Sequence, residues 1–169
     1  PLYLTDIDYI TVSSGGGANE FGELIHERGW SAACGDGIRG IVAGTWPGPG
    51  AIEYVNIATT GRAITFGELS VRPDTMGGSG TGHEITGGCG SSTRGIFGGG
   101  AHGTPSTTAI NLIQFINIKT LGNSVKFGEL TRLAYGVSAS SNSIRGLFYG
   151  GRTPSATDVI DYITIATEG

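Results

Sequence analysis

The side chains able to do chemistry are few, and they collect where the sequence is least regular. Trp46 stands in Trp46-Pro47-Gly48-Pro49, His83 closes the stretch Val71 to Glu84, His102 lies in Ala101-His102-Gly103-Thr104-Pro105, and Arg152 opens Arg152-Thr153-Pro154. An indole can stack on the apolar face of a sugar, an imidazole can exchange a proton or hold a metal, and a guanidinium can grip a carboxylate. Catalysis needs such groups as sets at fixed separations. No nucleophile elbow, phosphate loop, zinc spacing or carboxylate pair accompanies these four. His83-Glu84 is at best a weak acid–base or metal pair. Gly77-Gly78-Ser79-Gly80-Thr81-Gly82 has the composition of a phosphate loop without a strand–loop–helix setting, so it reads as a flexible insertion. The sequence therefore predicts no catalytic residue, no metal and no cofactor. Trp46, His83, His102 and Arg152 remain as candidate ligand-binding residues, against the plainer reading of solvent-facing loops held by proline and glycine.

The elements that must position these loops recur through the chain. An aromatic residue opens a short apolar run, and a Phe-Gly-Glu-Leu segment follows with its phenylalanine twelve positions later: Tyr9 and Phe21, Tyr54 and Phe66, Phe115 and Phe127. An Arg-Gly pair then opens a second run that ends in glycine, at Arg39-Gly40, Arg94-Gly95 and Arg145-Gly146. A last opening run, with Tyr162 as its aromatic, follows. Such repetition decides architecture before any other signal. It divides one domain, residues 1–169, into repeats 4–50, 51–108 and 109–157 and a partial repeat 158–169.

Within each repeat the apolar residues alternate at period two and are rich in β-branched and aromatic types, while glycine interrupts every longer run. These are strands, four per repeat, and nothing reads as a helix. In the first copy they are 7–12, 20–24, 30–34 and 39–44. The interval from Phe-Gly-Glu-Leu to Arg-Gly is 18 positions in copies one and three and 28 in copy two, because of the Val71–Glu84 insertion. Alternate loops of an antiparallel unit point to opposite ends. The variable loops therefore share one end and the short turns the other, which makes the first the candidate recognition face.

Composition narrows the classes. Glycine at 32 of 169 residues, with no strict period and beside plentiful Ile, Val, Phe and Tyr, excludes collagen and suits short strands with tight turns. A net charge of −4 and no basic cluster argue against nucleic acid. No apolar stretch approaches the length of a membrane span. The start at Pro1-Leu2 suggests a processed product or a piece of a longer chain. Cys34, Cys89 and Ser140 each precede a repeat arginine by five positions, so the cysteines are equivalent small packing residues rather than disulfide partners. Arg39, Arg94 and Arg145 are expected to be struts between units, with Glu23, Glu68 and Glu129 as their expected partners. Phe21, Phe66, Phe127, Tyr9, Tyr54, Phe115 and Tyr162 are expected to be structural.

The run Arg94-Gly95-Ile96-Phe97-Gly98-Gly99, followed by an aromatic-bearing strand and an aromatic-Gly-Glu-Leu strand, resembles the kelch repeat. Leu147-Phe148-Tyr149-Gly150-Gly151 with Phe115 and Phe127 is similar. The first copy departs, with Ala43-Gly44-Thr45 in place of the glycine doublet. The resemblance implies all-β propeller blades of four antiparallel strands, about three blades plus one extra strand. A β-prism or β-trefoil is the alternative that three units also suit. The wording of the strands, Asp-Tyr-Ile-Thr-Ile-Ala-Thr and Phe-Gly-Glu-Leu, also resembles repeat arrays in structural tail and appendage proteins of cyanobacterial viruses. That implies a non-enzymatic structural or adhesive protein, virion-borne or extracellular, presenting loops for host attachment. The alternatives are a carbohydrate-binding, lectin-like module and a fragment of a kelch-like oxidase or lyase. Three blades fall short of a ring, which needs about four to eight. The expected partners are thus protein, by self-association or through further repeats of the same polypeptide, and a cell-surface glycan.

Overall fold

The computed structural model describes residues 3–45, 50–70, 83–85, 87–102 and 108–167. Among them the chain is all β, without a helix. The strands are β1 (Leu4–Tyr9), β2 (Asn19–Arg28), β3 (Ala32–Gly35), β4 (Arg39–Ala43), β5 (Ala51–Asn56) and β6 (Ile64–Glu68). Then come β7 (His83–Glu84), β8 (Gly87–Gly90), β9 (Arg94–Gly98), β10 (Ala101–His102) and β11 (Thr108–Ala109). The last are β12 (Leu112–Asn117), β13 (Val125–Glu129), β14 (Tyr135–Ser141), β15 (Arg145–Arg152) and β16 (Ile160–Thr164).

Two antiparallel four-stranded sheets, β3-β4-β5-β6 and β8-β9-β12-β13, share one order: small-residue strand, Arg-Gly strand, aromatic strand, Phe-Gly-Glu strand. β14-β15-β16 repeats the first three of these, and β1-β2 the last two. Sheets and sequence repeats are offset by two strands, so each four-stranded sheet joins the end of one repeat to the start of the next.

The sheets pack face to face. Ile41, Ile52, Phe66 and Leu69 of one meet Phe97, Ile116 and Ile118 of the next in a single buried cluster. A second cluster joins Ile96, Ile113, Phe127 and Leu130 to Val137, Phe148 and Ile165. The first strands β3, β8 and β14 lie side by side along the stack. Sheets buried on both faces explain the near-continuous apolar runs of the central strands.

Much of each joint is main chain. Gly61 and Ala63 donate their N–H groups to the carbonyls of Phe21 and Glu23, and Gly122 and Ser124 donate to those of Phe66 and Glu68. The Phe-Gly-Glu strand of one sheet thus runs against the turn before the fourth strand of the next. Approach is so close that a Cβ on Gly67 would lie 2.1 Å from the Gly122 carbonyl oxygen. That contact, not strand formation, is why the motif carries glycine.

Several sequence boundaries move. β2 runs to Arg28, beyond the expected 20–24. Trp30 and Ser31 lie outside β3, with Trp30 in the left-handed region at φ 57°. The two variable segments of copy two are not only loops: β7, β10 and β11 pair into a small sheet of their own. The missing doublet of copy one also finds its reason. Gly44, Gly99 and Gly150, each five positions after the repeat arginine, take left-handed backbone at φ 76°, 69° and 68°. Only that glycine is common to all copies. Gly98 answers a local need, since Phe148 lies against it where a Cβ would sit 2.7 Å away.

Candidate functional site

Antiparallel order places at one end of the sheets the strand ends that flank every connection from second to third strand, and from fourth to first. The described residues 44–45, 50, 99–102, 108–111 and 153–159 belong to the former set, and 29–31, 69–70, 83–85 and 130–134 to the latter. Short turns occupy the other end, where Asp36, Ser91 and Asn142 accept N–H groups in the turns before Arg39, Arg94 and Arg145. The segments whose lengths and residues differ between copies therefore leave and re-enter the sheets at one end.

Of the expected site residues, His83 and His102 are brought together. They face each other as Cα partners in the antiparallel β7–β10 pair, with Ala101 opposite Glu84. Arg152 ends β15 rather than floating in a loop, opposite Tyr135, with its guanidinium 5.0 Å over that ring. Trp46 lies outside the described residues. Among the described residues no cluster of His, Cys, Asp and Glu could hold a metal ion, and no helix is long and apolar enough to cross a membrane.

Two guanidiniums brace the base of this end. Arg28 Nη2 contacts Glu53 Oε1 at 2.6 Å, and Nη1 donates to the carbonyls of Gly44 and Ala51. Arg132 Nη1 contacts Asp161 Oδ2 at 2.7 Å, and Nη2 donates to the carbonyls of Gly150 and Val159. Gly44 corresponds to Gly150 and Ala51 to Val159, so the two arginines do the same work from different sequence offsets. Each ties the loop between second and third strands to the preceding sheet. Glu53 also accepts the Ile25 N–H and meets His26 Nδ1 at 2.6 Å. Burial alone would push the Glu53 carboxyl up, but His26, the Ile25 amide and Arg28 outweigh it and hold its pKa below the ordinary value. Gln114 fills the same position in the middle sheet, accepting from the Ser70 and Ser124 hydroxyls.

This brace was missed in the sequence, though a signal existed. The residue before each strand aromatic is Asp8, Glu53, Gln114 or Asp161, always able to accept a hydrogen bond. The sequence also passed over Trp30. Its side chain is at the variable end, 58% exposed, on backbone that L-residues other than glycine seldom adopt. Strained backbone held in place at a loop is a pointer to function.

The repeated arginines face between sheets, not toward a ligand. Arg39 stacks on Tyr54 at 5.0 Å and donates to the Ile118 carbonyl of the next sheet at 2.6 Å. Arg94 stacks on Phe115 at 4.7 Å and donates to the Ile165 carbonyl at 2.9 Å. Arg145 stacks on Tyr162 at 4.9 Å. For Arg39 and Arg94 these partners are main-chain carbonyls rather than the expected glutamates. Tyr9–Phe21, Tyr54–Phe66 and Phe115–Phe127 pack edge to face at 6.1, 6.0 and 5.9 Å.

Cys34 and Cys89 are free thiols, each packed on a glycine of the following sheet. A Cβ on Gly95 or Gly146 would lie 2.7 or 2.8 Å from the respective Sγ. Burial raises both thiols to about 12, so neither is a reactive nucleophile at neutral pH. A comparison with protein-family models finds no match for this chain, and neither does a comparison with curated proteins.

Proposed function

We propose that the chain is a non-enzymatic structural and adhesive repeat protein, built of kelch-like propeller blades, that presents its variable end for recognition. One observation carries this reading: the segments that differ between copies leave and re-enter the sheets at one end, on sheets joined by the same kinds of contact in successive copies. Repeat scaffolds keep such contacts constant and vary the loops that bind. Face-to-face sheets with adjacent first strands favour propeller blades over a β-prism or β-trefoil. The virion or extracellular setting rests on the likeness of the strand sequences to tail and appendage repeats.

The ligand class this end suits best is a cell-surface glycan. Exposed aromatic rings supply stacking faces for sugars, and the flanking polar groups fix hydroxyls. Trp30 is the described indole at that end, with Tyr135 beneath Arg152, and the sequence adds Trp46 as a second candidate. Glycan-array binding by the chain, lost in Trp30→Ala or Trp46→Ala while the thermal midpoint holds, is the expected result. Binding indifferent to both substitutions would reject the site. Turnover of an array glycan, lost in His83→Ala, would replace the adhesive reading with an enzymatic one.

A further inference from the structure

β1 with the two residues after it and β16 carry the same five residues, Ile7-Asp8-Tyr9-Ile10-Thr11 and Ile160-Asp161-Tyr162-Ile163-Thr164. Both are third strands, with reciprocal surroundings. β1 pairs with a fourth strand, β2, and with no second strand among the described residues. β16 pairs with its second strand, β15, and its other edge carries no strand among the described residues. Tyr9 has Phe21 at its edge, whereas Tyr162 is 66% exposed. A long unpaired edge of this kind is a template for another strand.

We propose that β16 of one copy replaces β1 against β2 of a second copy, and that two copies do so reciprocally, closing one ring of six four-stranded sheets. Among the described residues each copy brings two complete four-stranded sheets and three strands of a third, so two copies give 2 × 3 = 6. That number falls inside the range of about four to eight that closes a propeller, and the three of a single chain do not.

Three features of the exposed surfaces fit this register. First, the β1–β2 pairing sets Tyr9 opposite Asn19, Asp8 opposite Glu20, Ile7 opposite Gly22 and Asp6 opposite Glu23. The same register puts Tyr162, Asp161, Ile160 and Val159 opposite those residues of the second copy, with Phe21 completing the aromatic pair. Second, Arg39 and Arg94 reach a carbonyl three positions beyond the next sheet's aromatic. For Arg145 that position is Ile57 of the second copy, whose side chain is exposed. Third, Cys34 and Cys89 cover Gly95 and Gly146, whereas a Cβ on Gly40 would meet nothing closer than Val55 at 3.3 Å. Ser140 of the first copy is the equivalent cover for Gly40 of the second.

The exchange also favours the better-prepared strand. Asp161 is already held by Thr131 and Arg132, and β16 arrives with β15 and β14 attached. β1 and the residue after it leave Leu4, Tyr9 and Ile10 exposed, so β1 is the strand to be displaced. β2 stays with its own sheets through the Gly61, Ala63 and Glu53 contacts.

Light scattering on the purified 169-residue chain is expected to give twice the 17.3 kDa chain mass. The variant Val159→Cys/Glu23→Cys is expected to form a dithiothreitol-sensitive dimer at high yield, while Val159→Cys/Glu20→Cys, out of register, does not. Removing residues 1–12, the competitor strand, is expected to lower the dimer dissociation constant at least tenfold. A monomeric mass at micromolar concentration overturns the proposal. So does a cross-link confined to one chain, which would assign β2 to β16 of its own copy. So does a dimer whose cross-linking ignores register, or one weakened when residues 1–12 are removed.

Discussion

The Arg28 guanidinium and the Glu53 carboxylate meet at 2.6 Å with both side chains almost wholly withdrawn from solvent. Removing one partner strands the other as a buried charge, which costs about 3–5 kcal/mol. Glu53→Ala is therefore expected to lose that much in urea unfolding. The apolar pair Arg28→Met/Glu53→Leu should recover most of it, because two charges then leave together. Equal losses in both variants would mean that packing, not charge, governs the site.

Gly67 has no room for a side chain. Alanine there would set its Cβ 2.1 Å from the Gly122 carbonyl oxygen, which is main chain that already accepts its place in the joint. Gly67→Ala is expected to destabilise the fold by about 1–3 kcal/mol or more. Alanine at Gly37, where a Cβ meets no atom within 4 Å, tests backbone strain alone, since its φ is 86°. The larger loss should fall at Gly67.

Acid should loosen the joints before any other part. Burial pushes Asp36 up, but the Arg39 amide, Lys119 and the Ile38 amide outweigh it and bring its pKa down from 3.8 to about 2. A carboxyl whose folded pKa lies below its unfolded one stabilises above the unfolded value and loses that contribution as pH falls through the folded one. Glu53, lowered in the same direction, adds to the trend. Urea midpoints should therefore drop between about pH 4 and pH 2, less steeply in Asp36→Asn. An unchanged slope in that variant would remove Asp36 from the account.

Trp30 separates stability from recognition. Glycine at φ 57° relieves the left-handed strain, so Trp30→Gly is expected to raise the thermal midpoint, by an amount corresponding to about 1 kcal/mol. The same change should abolish glycan binding if the indole is the stacking face. A variant that loses stability as well would show the side chain to be packed structure.

The all-β class and the four-strand order of each unit were legible because period-two alternation and glycine punctuation are local signals. Cys34 and Cys89 were read correctly as packing residues, since equivalent positions in successive sheets face glycines rather than each other. The partners of Arg39 and Arg94 were not legible. A carbonyl leaves no mark in the sequence, whereas Glu23, Glu68 and Glu129 recur visibly and drew the assignment. The β7–β10 pairing that brings His83 to His102 escaped for a similar reason: strands of two residues carry no periodicity. Trp30 was placed in a strand because its type favours one, and its turn geometry is set by the chain leaving β2, which no single residue announces.

The joints formed by Phe21, Glu23, Phe66 and Glu68 are written in main-chain N–H and C=O groups, which every amino acid but proline possesses. A unit copied in a gene and inserted beside its parent would inherit both halves of such a joint at once, without compensating side-chain changes. The array can thus grow or shrink by whole units through recombination while its loops drift independently. Lineages carrying this sequence should differ in repeat number more readily than in the spacing between Phe-Gly-Glu-Leu and its aromatic.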